Sequence, residues 1–285
     1  MIVGLLFSVN MTRGAFSVTV GDAYDFDVVA ANQSVTVGTD SGSGSGYEVG
    51  GLQFAEGTSV NANVTAVGSD VDYNLTAGAG TEALTSDGID LLFSGFLQLL
   101  MPIAYIYEFC STDYFNQTRA DVSPGLLMFT PFVESDFNWT VFAEMADDTH
   151  AEATTNATQT MLADADYTED TTSFTFEYYL GGIMDGNFTD ASGIYFLDLD
   201  LEHHYQFSFL KTGVMQGMRM EFSFTGTSNG TDIDVSLNWQ MELAGYNLPG
   251  YAIGGGWTWP FPAFGIIAAF TALGTIAVLV IKRRK

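Results

Sequence analysis

The sequence predicts a mainly β protein: an antiparallel β-meander or sandwich-like ectodomain with a minor helical part, followed by one C-terminal transmembrane helix. Three observations support this prediction. Apolar and polar residues alternate with a period of two through much of the chain, and Gly, Asp and Asn separate these runs. Helix-forming residues collect in one region, and an uncharged apolar run lies near the C-terminus.

The clearest strand pattern is a long hairpin late in the ectodomain. Between Met218 and Leu243, apolar residues alternate with polar ones on both sides of an Asn229-Gly230 turn. A Lys211-Thr212-Gly213 turn joins this hairpin to a preceding strand, and in residues 194–204 leucines alternate with acidic residues. The pattern predicts neighbouring antiparallel strands with one dry face and one wet face.

Shorter strand patterns precede this hairpin, in residues 16–29, 47–54, 59–78 and 173–180. Gly, Ser and Asp dominate residues 39–48 and 77–88, which predicts two flexible loops there. Ala, Met, Glu and Leu collect in residues 140–165, which predicts the helical part.

The composition divides the chain into five parts. We interpret them as a remnant or short export signal (1–15), a β-rich glycosylated ectodomain (16–246), a stalk (247–259), a transmembrane anchor (260–281) and a cytoplasmic basic tail (282–285). Post-translational insertion as a tail-anchored protein is an alternative, but it does not explain the glycosylation sites described below.

The anchor is predicted from its length and its flanks. Residues 262–281 are 20 residues without a charge, and a helix of that length covers a hydrocarbon layer of about 30 Å. Aromatic residues precede the run and cations follow it, as at a membrane interface. A buried core helix would instead place four cations beside the core. The residues expected to hold the anchor are Trp257, Trp259, Pro262, Phe264, Lys282, Arg283, Arg284 and Lys285.

The charge of the remaining chain is strongly negative. The sequence has 34 acidic and 8 basic residues, and four of the basic ones form the tail, which leaves 4 minus 34, or −30, before the anchor. This charge argues against nucleic acid and anionic membrane surfaces as partners. With the basic tail, it predicts a single-pass protein of the cell membrane with an extracellular body and a cytoplasmic C-terminus.

Asparagine usage indicates a glycoprotein. Nine of the 12 Asn residues begin an N-x-[ST] sequon, whereas chance predicts about two. Sequons spread along the whole body are typical of a secreted domain. The candidate glycosylation sites are Asn10, Asn32, Asn63, Asn74, Asn116, Asn138, Asn156, Asn187 and Asn229.

The apolar run Leu91–Phe109 is long enough to suggest a second membrane span. It contains Gln98, Pro102 and Glu108, and it has sequons on both sides. We therefore predict a segment inside the ectodomain, broken near Met101-Pro102, that packs against the dry sheet face. The alternative is the lining of an apolar ligand cavity or a patch that touches lipid.

No catalytic pattern is present in the sequence. The three His residues, His150, His203 and His204, accompany neither a G-x-S-x-G elbow, an H-E-x-x-H pair nor a phosphate-binding glycine loop. The single cysteine, Cys110, follows an apolar run, so we expect a buried apolar side chain rather than a reactive thiol. We therefore do not expect an enzyme.

Carboxylate clusters are the candidate metal sites. Asp198, Asp200 and Glu202 alternate along one strand and supply the hard oxygen ligands that Ca²⁺ prefers. Similar clusters occur in residues 22–27 and 164–170. The alternative is a solvated acidic face, since the whole body is acidic. We expect no cofactor other than this Ca²⁺.

These segments together resemble archaeal cell-surface proteins of the choice-of-anchor group, specifically the choice-of-anchor S type. The best match is residues 209–243, "FLKTGVMQGMRMEFSFTGTSNGTDIDVSLNWQMEL", which are similar to that family's K-x-T-G-V-L turn and hairpin. "PAFG" resembles archaeal P-G-F sorting signals, but Ala263 replaces their Gly, which favours plain anchoring. The resemblance implies anchoring at the cell surface and says almost nothing about activity.

Two functions follow as expectations. The first is a non-enzymatic surface protein with an envelope, adhesion or display role, with the S-layer or other surface proteins as partners. The second is a protein that binds a lipid or another apolar ligand on a curved antiparallel sheet. A large apolar cavity would favour the second function, and a filled core would favour the first.

We expect Asn63, Asn74, Asn187 and Asn229 to carry N-glycans, because each lies at a predicted strand end or turn where a bulky group can point to water. Mass spectrometry of glycopeptides from the native protein measures their occupancy. If all nine sequons are unmodified, the glycoprotein assignment is wrong.

Overall fold

The structure is a computed structural model that describes residues 14–110, 125–126, 129–152, 160–189 and 194–253. It confirms a mainly β architecture with a large antiparallel sheet and two helices in this part of the chain. Neither of these helices is both long and apolar enough to cross a bilayer. The predicted anchor and tail, with Trp257 and all later anchor residues, lie outside the described residues.

The strands and helices are numbered in chain order. The strands are β1 (Ala23–Val37), β2 (Asp40–Ser45), β3 (Tyr47–Val49), β4 (Leu52–Phe54), β5 (Ser59–Val67), β6 (Val71–Ala77), β7 (Gly80–Ser86), β8 (Gly125–Leu126), β9 (Thr160–Glu169), β10 (Ser173–Thr189), β11 (Ile194–Leu210), β12 (Met215–Ser228) and β13 (Thr231–Leu243). The helices are α1 (Gly88–Cys110) and α2 (Thr140–Glu152).

Within the described ranges, ten strands form the main sheet, in the order β7-β6-β5-β1-β13-β12-β11-β10-β9, with β2 also paired to β1. All of these pairs are antiparallel. Strand β1 joins the two halves of the sheet. It pairs with β13 on one side, and on the other side its first half pairs with β5 and its second half with β2. Strands β4, β3 and β8 form a small second sheet.

The predicted late hairpin and its turns are present. Strands β12 and β13 pair from Gly217↔Glu242 to Ser228↔Thr231, and both turn residues, Asn229 and Gly230, have positive φ. The turn before β12 requires Gly213, which has a φ of +87°. A Cβ there would also lie 2.1 Å from the Val133 carbonyl oxygen, so a larger residue would force the turn apart.

Two segments predicted as loops are strands. Residues 40–45 form β2 and residues 80–86 form β7, at the margins of the main sheet. Both predictions relied on Gly, Ser and Asp content, but strand pairing uses main-chain groups that a neighbouring strand supplies. In β7 the exposed and half-exposed residues alternate, so little side-chain signal marks this strand.

The predicted helix at residues 140–165 is shorter than expected. Helix α2 ends at Glu152, and residues 160–169 form the edge strand β9 instead. The Asn138 side chain caps the start of α2, with its Oδ1 accepting the Thr140 N–H at 3.3 Å. Pairing with β10 decides the conformation of residues 160–169, and that contact is absent from the local sequence.

The dry face of the main sheet, called here the inner face, carries the core. Helix α1 covers its centre, where Tyr105 stacks on Phe222 with ring centroids 5.3 Å apart. This contact confirms that the apolar segment packs against the hairpin. Trp239, on the same face of the hairpin, lies under the small sheet, 6.3 Å from the Tyr47 ring. Helix α2 covers the part of the inner face near β10, where the ring of its Phe142 lies 5.2 Å from that of Phe176 on β10 and 4.8 Å from that of Phe207 on β11.

The predicted break near Met101-Pro102 is absent, because α1 continues through Pro102 to Cys110. Proline lacks an N–H, so it leaves the Gln98 carbonyl without its usual helical partner. The helix is held at both ends despite this loss. Asp87 caps its start by accepting the Asp90 N–H at 2.8 Å, and the carbonyl of Cys110 accepts the Ser228 hydroxyl at 3.1 Å.

We expect Phe222→Ala to lower the free energy of unfolding by about 3–5 kcal/mol, because a fully buried aromatic ring leaves a cavity under α1. Phe196→Ala is the matched control, since that ring is 61% exposed, and its effect should stay within about 0.5 kcal/mol. Urea unfolding of both variants measures the difference. Equal costs would contradict the packing of α1 on the inner face.

Candidate functional site

The described sequon asparagines lie at the surface. Asn32, Asn63, Asn138 and Asn229 are exposed and Asn74 is half-buried. Asn187 lies on β10, and Asn10, Asn116 and Asn156 lie outside the described residues. At Asn229, the side-chain Oδ1 accepts the Phe196 N–H at 2.8 Å, so the amide oxygen makes the structural contact and the nitrogen is the glycan-accepting atom.

The carboxylates proposed to bind Ca²⁺ lie exposed in a row along β11. Asp198, Asp200 and Glu202 occupy alternate positions, which separates neighbouring side chains by about 6.5 Å of strand. No group of three or more potential metal ligands converges within the described ranges. In the cluster at residues 164–170, Asp170 instead caps a turn. Hydrogen bonds from Thr172 and Ser173 lower the pKa of its carboxyl to about 2.

The two adjacent histidines point to opposite sheet faces. His203 is fully buried on the inner face, and its ring lies beside the Gln98 carbonyl that Pro102 leaves without a helical partner. Neither ring nitrogen completes a hydrogen bond within the described part of the chain. Burial lowers the pKa of His203 to about 3, so the ring is neutral at pH 7. The side chain of His150 lies outside the described residues.

The other face of the main sheet, called here the outer face, is crossed by the end of the described chain. Residues 246–253, called here the strap, leave β13 and run over β12, β11 and β10 toward β9. The first seven residues of the predicted stalk, 247–253, belong to the strap, and the remainder lies outside the described residues. Three polar contacts along its length hold its main chain: those of Glu242, Arg219 and Glu177.

The strap begins against β12 and β13. The Glu242 carboxylate accepts the Leu248 N–H at 2.8 Å and the Gln240 side-chain N–H at 2.7 Å. The Leu248 side chain is buried, and it packs over Gly217, where an added Cβ would lie only 2.9 Å from it. Gly217 therefore supplies the space that this residue of the strap occupies.

At its centre, the strap contacts Arg219 and His204 of the sheet. Arg219 donates from Nη2 to the Pro249 carbonyl at 2.7 Å, and its guanidinium carbon lies 3.5 Å from the centre of the Tyr251 ring. The His204 ring lies 4.3 Å from the same tyrosine ring and 4.6 Å from Tyr179. Tyr251 thus lies between two side chains of the sheet.

The strap ends on a buried carboxylate. Glu177 is 4% exposed, and its two oxygens accept the main-chain N–H groups of Ala252 and Ile253 at 2.9 and 3.0 Å. Burial raises the pKa of the Glu177 carboxyl, whereas the two N–H donors and the nearby His204 and Arg219 oppose the rise. The Ile253 side chain completes the contact by packing on Leu162 and Tyr179.

A groove of about 320 Å³ lies where the strap reaches the edge of the sheet. Its lining includes Ile253 from the strap, Asp147 from α2 and Asp164 and Asp166 from β9. Both β9 aspartates also accept hydrogen bonds from main-chain N–H groups of this edge strand. Asp164 Oδ1 accepts the N–H of Ala165 at 3.0 Å, and Asp166 Oδ1 accepts that of Tyr167 at 2.8 Å. The acidic lining does not suit an apolar ligand.

A much smaller cavity lies on the inner face. The cavity between α1 and the sheet, bounded by Leu91, Tyr205 and Met218, has a volume of about 10 Å³. That volume suits about one water molecule, whereas pockets for small molecules measure about 300 to 1,000 Å³. The core beneath α1 is therefore filled by side chains.

Comparisons with protein-family models, curated proteins and solved structures found no match. The functional assignment therefore rests on the residues and geometry of this chain.

The residues that bind the strap were not predicted from the sequence. The alternation predicts a wet face for all four of these side chains: Glu177, His204, Arg219 and Glu242. Three of them, Glu177, His204 and Glu242, are nevertheless buried. Buried polar side chains on that face need partners, and the strap supplies them. The available signal was the spacing of apolar residues within the predicted stalk, Leu248, Tyr251 and Ile253, which a solvated linker does not need.

We expect the stability of the protein to depend on pH through His203. The folded state holds this group neutral down to about pH 3, whereas the unfolded state binds its proton below about pH 6.5. Protonation of His203 therefore leaves the free energy of unfolding unchanged above pH 6.5. As the pH falls below 6.5, the free energy of unfolding decreases by up to about 1.4 kcal/mol per pH unit.

Denaturant unfolding of the wild type and of His203→Phe between pH 7 and pH 3.5 measures this effect. The free energy of unfolding of the wild type should fall relative to that of the variant as the pH is lowered. Glu134 and Glu177, whose carboxyl pKa values burial raises, are present in both proteins, so their opposite pH dependence cancels in the difference. Parallel profiles would contradict a neutral buried His203.

Proposed function

We propose that the chain is a membrane-anchored extracellular surface protein with a structural, adhesive or display role in the cell envelope. The observation that carries this proposal is the filled interior. The inner face of the sheet, a natural place for a ligand, is occupied by α1, α2 and the small sheet, with a cavity of about 10 Å³ between α1 and the sheet. A domain of this kind acts through its exterior.

The exterior has the properties that such a role requires. The five sequon asparagines whose side chains the structure describes are exposed or half-buried, so each is open to glycan attachment. The body carries a charge of −30 by sequence, which favours solvation and resists association between copies. The strap adds a defined attachment between this domain and the predicted anchor that follows it.

The alternative function, binding of a lipid or another apolar ligand, finds no support in either of the two cavities described above. The inner-face cavity is too small for a lipid, and the groove at β9 is lined by Asp147, Asp164 and Asp166. Burying an acyl chain there would place it against three carboxylates as well as apolar side chains, which costs free energy.

Protease treatment of intact cells tests the orientation. We expect degradation of the body and survival of a membrane fragment around Pro262–Lys285, because the predicted anchor places the body outside. Immunoblotting against epitopes in each part detects the two products. If the body stays protected until the cells are lysed, the surface assignment is wrong.

Mass spectrometry of an organic extract from the purified native protein tests the role of the interior. We expect no lipid at a stoichiometry near one per chain, since the described core has no room for it. A single lipid species that co-purifies at that stoichiometry would overturn the display role in favour of a carrier.

A further inference from the structure

The strap determines where the chain leaves the described domain. It crosses the outer face from β13 to β9, and its last described residue, Ile253, packs on Leu162 of β9 and Tyr179 of β10. Among the strands that the structure describes, β9 is the outermost on that side of the sheet. The chain therefore departs from one edge of the sheet, beside α2, rather than from the end of β13, where a flexible stalk would begin.

Little chain remains between this point and the predicted anchor. Residues 254–261 number eight, counted from Ile253 to Pro262, and a fully extended chain advances at most about 3.5 Å per residue. Ile253 and Pro262 are nine residue steps apart, so the β9 edge lies within about 32 Å of the residue that begins the apolar run. The opposite edge, β7, is eight strand spacings away, which is about 38 Å along the sheet.

We propose that the β9 edge, together with α2, is the side of the domain that faces the lipid bilayer, and that the strap holds it there. This inference rests on the proposed function, since it requires the anchor. The partner is a lipid surface. The side chains of Asp147, Asp164 and Asp166 at this edge disfavour direct contact with anionic headgroups, so the domain stands off the bilayer by the length of the linker.

The strap is suited to hold an orientation because its contacts are distributed along its length. Main-chain groups are bound at Leu248, Pro249, Ala252 and Ile253, and side chains are buried or half-buried at both ends. Release of the strap would move the point of departure back to the end of β13, and it would require these contacts to break together, including the two hydrogen bonds to the buried Glu177 carboxylate.

Energy transfer to labelled lipids tests the orientation. The full chain is reconstituted in phosphatidylcholine vesicles that contain a headgroup-labelled acceptor lipid. A donor dye is attached at Thr168→Cys on β9 or at Ala83→Cys on β7, both exposed positions. Cys110 stays in place, because burial raises the pKa of its thiol to about 12 and the unmodified chain serves as the labelling blank.

We expect at least twofold more transfer from position 168 than from position 83. In the strap variant Tyr251→Ala/Ile253→Ser, which loses the ring and apolar contacts, the ratio should fall toward one. The matched control Asn247→Ala/Ala252→Ser changes exposed strap residues and should keep the wild-type ratio. Circular dichroism verifies that each variant is folded, and Tyr251→Ala alone replaces the double variant if that one unfolds.

Each result decides a different point. Equal transfer from the two positions, or more from position 83, overturns the inference while the anchor stands. A wild-type ratio in a folded strap variant shows that the strap does not hold the orientation and overturns that part. If the chain fails to associate with vesicles, the anchor and the proposed function fail with it, and flotation of the vesicles identifies this case.

Discussion

The fold depends on covering the inner face of one large sheet. The chain has a single cysteine, so no disulfide within the chain assists, and apolar burial must supply most of the stability. Different parts of the inner face have different covers: α1 over β11 and β12, α2 over β9 and β10, and the small sheet over Trp239. Connections between strands that contain a covering helix or the small sheet are consequently long, whereas connections that contain only a turn are short.

The strands of the late hairpin were predictable because their side chains alternate, and this alternation is a local property of the sequence. Strands β2 and β7 were not predictable, since main-chain pairing with β1 and β6 defines them. The continuity of α1 through Pro102 was likewise not predictable from the sequence. A proline predicts a lost hydrogen bond, but the contacts that hold a helix in place despite that loss come from the sheet, about 100 residues later in the chain.

The site on the outer face was predictable only in part. The alternation correctly places Glu177 and Arg219 on the face opposite the core, but it cannot show that this face is covered. The covering residues lie 75 positions after Glu177 and 30 after Arg219. Composition favoured a stalk for residues 247–259 because Pro and Gly are typical of linkers. Buried carboxylates, and an aromatic ring between Arg219 and His204, can be recognised only in the assembled sheet.

The aspartates of β9 have a consequence for crowded surfaces. An edge strand normally presents N–H groups to which another strand can add, and sheets that meet in this way grow into fibres. In β9, two such groups already donate to the carboxylates of Asp164 and Asp166, which also repel an approaching edge of the same charge. Many copies at high local concentration can therefore lie side by side without polymerising through this strand.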